Sequence, residues 1–579
     1  MVLLLPNEVL SHVFEYLSDR DLSGLSLVNK RLLMLVRNPS TWKIRCRRWQ
    51  NWADVSLLRR CRWSQHNAYG EHWDSTNWLQ VYVRRCSIDC NVHALLDLYG
   101  RNVKKGYAMY DNIFGMITSY GVDALDALVT AQTGGRGLER LGYKFMASQA
   151  EGYIRRREGT NIWLKTMNQE LLESNNDDFD ELYCSFSYFC GSSVSEAVIF
   201  MDDAAQSIRK NIGVTNDMES SAVAKAICEF MIDENLMAVS DSTEGEPLIF
   251  PAHDFLFDRS KRHFWSTCGI FSGIARRLGF TCGPLGFVFF PVVVMFRNDA
   301  PHERIFVSLV NTGKIYSKVE AFSVLSKHFA DVKDSLLEIA LFTTSLRNMK
   351  SLVEYNCITG NSTNGRSWDL YVARALRIVL HPLQMLREPE FEERSIGDFI
   401  AIFRRMGSRN ELNIFGSFSF IDSVYSKFGH EYVEKYLQSF AIACQNANKT
   451  IESEEMGESG PFSEEDGSRR KFKIGQIVKY NRYVCHGVIV SYNAYGQALM
   501  DTLNPAHAIG PFYIVVLTTG TRVCASQSSL EKVNVLSVYT RQHINTLFAN
   551  IDAAVELGRY FSRFDHERGV FVDHYHDIT

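Results

Sequence analysis

The sequence predicts a multidomain α+β protein, and three observations support that class. The chain has 579 residues, more than one compact core usually spans. Apolar residues recur at helical spacing in the N-terminal and central regions, whereas apolar and polar residues alternate between glycine-containing turns after residue 470. Residues 446–470 are acidic, bear Gly and Ser and are nearly free of apolar side chains, which is typical of a flexible linker.

Composition narrows the class of protein further. Hydrophobic residues make up 46% and aromatic residues 12%, which is ample for buried cores and excludes wholesale disorder. The chain has 62 basic and 66 acidic residues. It therefore has no overall positive charge that would drive nonspecific nucleic-acid binding by the whole chain. Thirteen cysteines without a Cys-x-x-Cys pair indicate reduced thiols. We therefore expect an intracellular protein of the cytoplasm or nucleus.

No segment of the sequence is predicted to enter a membrane. Residues 2–5 are too short for a signal-peptide core and lack a basic leader. The longest apolar run, residues 285–296, is interrupted by Pro291 and is too short to span a bilayer as a helix.

Residues 5–42 predict three short helices with a surplus of apolar side chains. Pro6 suits the first turn of a helix, Asp21 is a candidate N-cap of the second, and Pro39 closes the third. About forty residues is near the lower limit for a self-supporting core without a metal or disulfide. The surplus apolar residues are therefore predicted to face a partner or the next domain.

The order of residues in this stretch resembles an F-box. The resemblance is carried by Leu5-Pro6-x-Glu8-Val9-Leu10, Phe14-x-Tyr16-Leu17, Asp21-Leu22, Leu27-Val28-Asn29-Lys30-Arg31 and Trp42. Asn29 is the one departure, since many members have Cys there. The resemblance implies docking on the Skp-type adaptor of a cullin–RING ubiquitin ligase. The residues expected to contact that adaptor are Leu5, Pro6, Val9, Leu10, Val13, Phe14, Leu17, Leu22 and Trp42.

The predicted F-box, residues 1–48, is followed by a predicted helical body over residues 49–212. Residues 43–101 are rich in Trp and Arg, which is compatible with a nucleic-acid stacking platform or with tryptophans that pack helices under arginine side chains. We favour the second interpretation, in which these residues brace the N-terminal helices against the body.

Residues 213–345 contain the one group of residues in the sequence that resembles a catalytic site. Cys268 opens a helical run that ends at Gly279, and strands are predicted at 285–290, 292–297 and 305–310. A cysteine at a helix N-terminus has a lowered pKa, as thiol nucleophiles need. The pattern C-G-x-x-x-x-I-A-R-R-L-G before a β-meander resembles the transglutaminase-like, SirB-type fold.

A thiol enzyme of that fold needs a histidine on a following strand and an Asp or Asn to orient it. The expected histidine position falls within residues 291–294, which offer no base, although Asn311 stands where the orienting residue belongs. We therefore expect a scaffold without catalysis, in which Cys268 and Asn311 are vestigial, and we predict no cofactor and no metal. A thiol hydrolase or transferase built on Cys268 is the alternative.

Residues 346–445 are predicted to be helical again, and residues 471–579 to form a small antiparallel β-barrel with a tail. The series F-x-I-G-Q-x-V, Y-x-x-x-G-V-I-V and P-F-Y-x-V-x-L resembles the YccV/HspQ family, also called hemimethylated-DNA-binding domains. The candidate DNA or partner contacts are Lys473, Lys479, Arg482 and Tyr483. The neighbouring acidic linker would compete with phosphate, so we favour protein recognition over DNA binding, which stays the second alternative.

The three resemblances, in this order, match one F-box-only group, of which the chain looks like a divergent member. They imply the substrate-recognition subunit of a Skp–cullin–F-box (SCF) ubiquitin ligase, which brings target proteins to the conjugating enzyme for ubiquitination and degradation. Such a subunit acts by proximity and performs no covalent chemistry itself. Its expected partners are a Skp-type adaptor, through it a cullin–RING ligase, and an unknown protein substrate.

Overall fold

A computed structural model describes the chain in segments. These are residues 5–47, 77–101, 107–134, 137–171, 179–189, 194–213, 218–238, 255–256, 264–285, 292–297, 299–310, 313–327, 471–482, 485–493, 512–520, 522–533, 544–546, 548, 550–558 and 560–573. The predicted helical region 346–445 and the predicted linker 446–470 lie outside the described residues, as do Asn311 and Tyr483.

Four short helices form the N-terminal region. They are α1 (Asn7–Phe14), α2 (Asp19–Ser26), α3 (Lys30–Val36) and α4 (Pro39–Arg47). The three predicted helices are present, but Pro39 opens a fourth helix, in keeping with the preference of proline for the first helical position. The N-cap of α2 is Ser18 rather than the predicted Asp21, because the Ser18 side chain accepts a hydrogen bond of 3.2 Å from the Asp21 N–H.

These helices enclose a small apolar core of their own. Its buried members are Leu10, Phe14, Leu22, Leu32, Leu35, Val36, Trp42, Cys46 and Trp78. The Trp42 indole N–H donates a hydrogen bond of 2.5 Å to the carbonyl oxygen of Val36, so α4 is fixed against the end of α3. Trp78 is contributed by the next helix, which therefore completes this core.

The next helix, α5 (Trp78–Arg101), connects the N-terminal core to the body. Its 24 residues correspond to a length of about 36 Å. Trp78 lies in the N-terminal core, whereas Ile88, Val92 and Leu96 lie in the core of the body. Trp42 and Trp78 thus pack helices, as the preferred interpretation of the Trp-rich stretch predicted, and the Arg45 guanidinium lies 5.8 Å from the Trp42 ring centre.

The body continues with helices and a central sheet. The helices are α6 (Tyr107–Ser119), α7 (Leu125–Thr133), α8 (Leu141–Leu171), α9 (Phe179–Phe189), α10 (Ser195–Ile212), α11 (Ser220–Asp233) and α12 (Phe264–Arg277), with 3₁₀ turns at Gly121–Ala124 and Gly137–Arg140. One hydrophobic core runs through these elements and the sheet, from Ile88 to Leu309. The predicted division at residue 212 therefore falls inside a shared core.

The central sheet is an antiparallel meander. Its strands are β1 (Phe280–Pro284), β2 (Val292–Arg297), β3 (Ala300–Ser308) and β4 (Ile315–Tyr316), paired in that order, and α13 (Lys318–Leu325) follows. The predicted strand at 292–297 is confirmed. The sheet begins at Phe280, earlier than predicted, because Gly279 has a φ of +97° and reverses the chain directly after α12.

In the described residues, the C-terminal region contains a curled antiparallel sheet where the sequence predicted a small antiparallel β-barrel. Its strands are β5 (Ile477–Tyr480), β6 (Cys485–Asn493), β7 (Phe512–Leu517), β8 (Arg522–Ser526) and β9 (Leu530–Lys532), paired in the order β8-β7-β6-β5-β9. β8 and β9 lie at opposite edges yet are joined by the three-residue 3₁₀ turn Gln527–Ser529. So short a connection requires the sheet to curl into a half-barrel.

The half-barrel is docked on the body through its outer face. Val478, Ile489 and Val515 are buried on one face, while Ile477, Val488 and Val516 are buried on the other. The second set packs with helix α14 (Ile551–Gly558), with the hairpin β10 (Phe561–Asp565) and β11 (Val570–Asp573), and with Leu138 and Leu141 of the body. The C-terminal region is therefore a packed part of the molecule.

Among the described residues, no single helix has the length and apolar character to cross a membrane, and one helix pair bent by 102°, Asn112–Ser119 with Gly121–Thr133, passes by length and composition only.

Candidate functional site

Helix α1 carries two apolar stripes, of which one is buried and the other is exposed. Leu10 and Phe14 are 1% and 2% exposed and point into the N-terminal core. Val9 and Val13, each one position earlier, are 44% and 43% exposed, and Leu5 is 37% exposed. A step of one residue turns a helix by about 100°, so the two stripes lie on different sides of α1. We call Leu5, Pro6, Val9 and Val13 the outer face of α1.

Further apolar side chains between residues 16 and 34 are exposed. Tyr16 is 75%, Leu27 86%, Val28 64% and Met34 64% exposed. Scattered exposed apolar residues are ordinary, but this density over thirty residues is typical of a surface that another protein covers.

The structure divides the nine residues predicted to contact a partner. Leu5, Pro6, Val9 and Val13 are exposed and Leu17 is half-buried, whereas Leu10, Phe14, Leu22 and Trp42 are buried in the N-terminal core. The four buried residues support the surface from beneath, because a side chain already packed inside the domain has little area left for a partner.

Tyr16, Leu27, Val28 and Met34 were not among the predicted contacts. Leu27 and Val28 directly precede Asn29, whose side chain accepts a hydrogen bond of 2.9 Å from the Leu32 N–H and caps α3. Leu27 and Val28 therefore lie in the turn between α2 and α3 and are exposed. This position could have identified these two residues as exposed, whereas Tyr16 and Met34 have no such signal in the sequence.

A polar cluster fixes the base of α1 and α2. The buried Arg45 guanidinium donates to the carbonyl oxygens of Phe14 and Leu17 and pairs with Asp19. The Tyr82 hydroxyl of α5 donates a hydrogen bond of 2.6 Å to the other Asp19 carboxylate oxygen. Burial and this hydrogen bond raise the pKa of Tyr82, so it stays a donor. Arg45 also places positive charge at the C-terminal end of α1, where the helix dipole favours it.

The F-box-like family model matches residues 2–48, the segment that holds the outer face and most of the core beneath it. Residues 2–48 are an F-box-like domain. An F-box implies binding to a Skp-type adaptor. No curated protein and no solved structure matches the chain. The transglutaminase-like and YccV-like resemblances stay predictions.

Within the F-box-like domain, the departure at Asn29 has a structural reason. Asn29 has extended backbone angles and caps α3 through its side chain, a role for which asparagine is among the best residues. Asn29 therefore stabilises the start of α3 in this domain.

The second candidate site, Cys268, differs from its prediction. Helix α12 begins at Phe264, so Cys268 lies inside the helix and not at its N-terminus. The thiol is fully buried, and burial raises its pKa well above the ordinary value. The Ser272 hydroxyl oxygen lies 3.9 Å from its sulfur. These surroundings oppose formation of a thiolate, which corrects the expectation of a lowered pKa.

The third candidate site comprises basic residues of the half-barrel. Lys473 and Arg482 are exposed. The Lys479 ammonium lies 4.0 Å from the Glu531 carboxylate, which also accepts a hydrogen bond of 3.0 Å from the Asn481 side chain. Glu531 therefore offsets part of the positive charge that phosphate binding would use.

Among the described residues, no group of three or more His, Cys, Asp or Glu side chains is arranged to hold a metal ion.

Proposed function

We propose that this protein is the substrate-recognition subunit of an SCF ubiquitin ligase. The F-box-like domain binds a Skp-type adaptor, and the body with its docked half-barrel holds a protein substrate. The observation that carries the proposal is the exposed outer face of α1 within the F-box-like match at residues 2–48. An apolar face that stays exposed while Leu10 and Phe14 of the same helix are buried fits a protein partner.

The mechanism we propose is proximity. The adaptor connects the chain to a cullin–RING ligase, and the chain holds the substrate near the charged conjugating enzyme. The effective concentration of substrate lysines then rises without a covalent step by this chain. Helix α5 supports this mechanism, since it joins the core of the F-box-like domain to the core of the body.

The thiol alternative receives no support from the surroundings of Cys268. A nucleophilic thiol needs access to substrate and a lowered pKa, whereas Cys268 is fully buried and its pKa is raised. The adaptor role needs neither. We further propose that the protein acts in the cytoplasm or nucleus, where reduced thiols and cullin ligases coexist.

Reconstitution tests the proposal. The purified full chain is mixed with a Skp-type adaptor and a cullin–RING complex, and we expect all components to elute together on size-exclusion chromatography. In cells, a chain whose outer face is disrupted should accumulate bound substrates, because it captures them without passing them on. If the intact chain fails to elute with the adaptor at micromolar concentrations, the proposal is wrong.

A further inference from the structure

Arg31 of α3 reaches across to the start of α1. Its Nε and Nη2 atoms donate hydrogen bonds of 3.0 and 2.8 Å to the side-chain oxygen of Asn7. Nη2 also donates a hydrogen bond of 2.6 Å to the carbonyl oxygen of Leu5. One guanidinium therefore holds the chain on both sides of Pro6.

The start of α1 lacks a capping side chain of its own. Pro6 occupies the N-cap position with φ −57° and ψ 152° and makes no side-chain cap hydrogen bond. The first backbone hydrogen bond runs from the Leu10 N–H to the Pro6 carbonyl oxygen at 3.1 Å. Uncapped helix ends fray in the first turn. The Arg31 guanidinium, which only donates, does not cap the free N–H groups of this turn, but it ties the turn to α3 through the Leu5 carbonyl oxygen and the Asn7 side chain.

Helix stability alone does not explain an arginine at this place. A cation near a helix N-terminus opposes the helix dipole, and Ser, Thr, Asp or Asn at the cap would satisfy the backbone without that cost. Arg31 instead fixes the orientation of this segment, because its planar guanidinium binds both the Asn7 side chain and the backbone at Leu5.

We propose that Arg31 is a positioning residue for adaptor docking. It orders Leu5 and Pro6 before binding, so that the whole outer face of α1 is presented as one rigid surface. Val9 and Val13 are ordered by the helix itself, whereas Leu5 and Pro6 precede it and depend on Arg31. The inference rests on the proposed function, since it names the device that prepares the same surface.

The expected effect follows from ordering entropy. Without Arg31, the backbone of these two residues must be ordered during binding, which raises the adaptor Kd by about tenfold. The test compares the full chain with its Arg31→Ala variant by calorimetric titration with a purified Skp-type adaptor. Arg31→Lys keeps the charge and loses the fork, so its Kd should lie between the two. Arg37→Ala is the matched control, because it removes an exposed arginine that directly follows α3, and its Kd should stay unchanged.

A double-mutant cycle separates positioning from a direct contact between Arg31 and the adaptor. Asn7→Ala removes the acceptor of the hydrogen bonds that the Arg31 Nε and Nη2 atoms donate to this side chain. If Arg31 acts through Asn7, adding Asn7→Ala to Arg31→Ala should weaken binding by much less than Asn7→Ala does alone. Full additivity of the two effects would overturn the positioning role.

Hydrogen exchange of the free chain gives an independent readout. We expect faster exchange of the Leu10 N–H, which makes the first backbone hydrogen bond of α1, in Arg31→Ala, with exchange in α2 and α4 unchanged. Faster exchange throughout the F-box-like domain would show a general structural role and overturn the inference. Equal adaptor affinity of Arg31→Ala and the unchanged chain would overturn the inference alone. Failure of the unchanged chain to bind the adaptor would overturn the proposed function and the inference with it.

Discussion

The hydroxyl of Tyr82 donates a hydrogen bond of 2.6 Å to the carboxylate of Asp19, and this contact joins α5 to the start of α2. The other Asp19 oxygen pairs with Arg45, whose guanidinium also holds the end of α1. The two residues lie 63 positions apart in the chain. Their contact therefore fixes the orientation of the F-box-like domain on the helix that leads into the body.

Substitutions of Tyr82 and of Asp19 should lower local stability by different amounts. Tyr82→Phe loses one hydrogen bond and should lower the free energy of local opening by about 0.5–1.5 kcal/mol. Asp19→Ala should cost more, about 1–3 kcal/mol, because it leaves the buried Arg45 guanidinium without its carboxylate. Hydrogen exchange of α2 and α4 measures both. Equal effects of the two substitutions would contradict a structural role for Arg45.

Charge on the outer face of α1 should prevent adaptor binding without unfolding the domain. In the double variant Val9→Asp/Val13→Asp, the carboxylates would be buried at an apolar contact, and we expect at least about a 100-fold loss of affinity for a Skp-type adaptor. Titration of the purified full chain measures this loss. Both positions are more than 40% exposed, so the melting temperature should change little.

Two controls make the adaptor test specific. Val319→Asp places the same charge at an 80% exposed valine of α13 and should leave adaptor affinity unchanged. Leu10→Ala removes a core side chain and should destabilise the F-box-like domain by about 2–5 kcal/mol, which lowers binding through unfolding. Adaptor binding that tolerates both outer-face aspartates would rule out this surface.

Stability should depend on pH through Asp89 of α5. Burial and the carboxylates of Asp126 and Asp123 raise the Asp89 pKa to about 6, although Arg85 lowers it. A folded-state pKa above the unfolded value of 3.8 stabilises the fold at low pH, and this contribution is lost as pH rises through about 6.

Asp89→Asn should therefore stabilise the protein at pH 7.5, by on the order of 1–3 kcal/mol, and have almost no effect below pH 4. Arg85 keeps Asp126 and Asp123 as partners in this variant. Thermal unfolding from pH 4 to pH 8 measures the difference from the unchanged chain. A difference that stays constant over this range would show that Asp89 does not titrate as its surroundings indicate.

The sequence predicted α1 and its apolar content, but it could not decide which stripe of α1 is buried. By helical spacing alone, Val9 and Leu10 are equally good candidates for the buried side of α1. The choice is made by α3 and by Trp42 and Trp78, which close the core over Leu10 and Phe14. Such contacts join residues distant in the chain, which periodicity within one helix does not contain.

The environment of Cys268 was mispredicted for a related reason. The dipole argument depends on where α12 begins, and the helix starts four residues earlier, at Phe264. Trp265 is fully buried and anchors that earlier turn in the body core. The β-meander was predicted because β2 is a continuous run of β-branched and apolar residues and β3 has Ile305, Phe306 and Val307 near its end, a pattern that indicates strands without knowledge of their partners.

Native-state thiol labelling should distinguish the cysteines by burial. Cys90 is exposed on α5 and should react with iodoacetamide within minutes, whereas Cys268 should react only after unfolding. Mass spectrometry of labelled peptides measures both rates. Labelling of Cys268 ahead of Cys90 would revive the thiol-enzyme alternative, because a buried thiol with a raised pKa has neither access nor a thiolate.

Docking of the half-barrel on the body should depend on Gly558. A β-carbon at this position would overlap the carbonyl oxygen of Leu141 at the start of α8. Gly558→Ala should therefore separate α14 from α8 and expose the outer face of the half-barrel, which would appear as faster hydrogen exchange around residues 137–145 and 551–558. Gly115→Ala is the matched control: it has open space on α6, and alanine there should stabilise the helix by about 0.5–1 kcal/mol. If Gly558→Ala leaves exchange in both segments unchanged, the half-barrel is not held by this contact, and the C-terminal region could move independently of the body when substrate is bound.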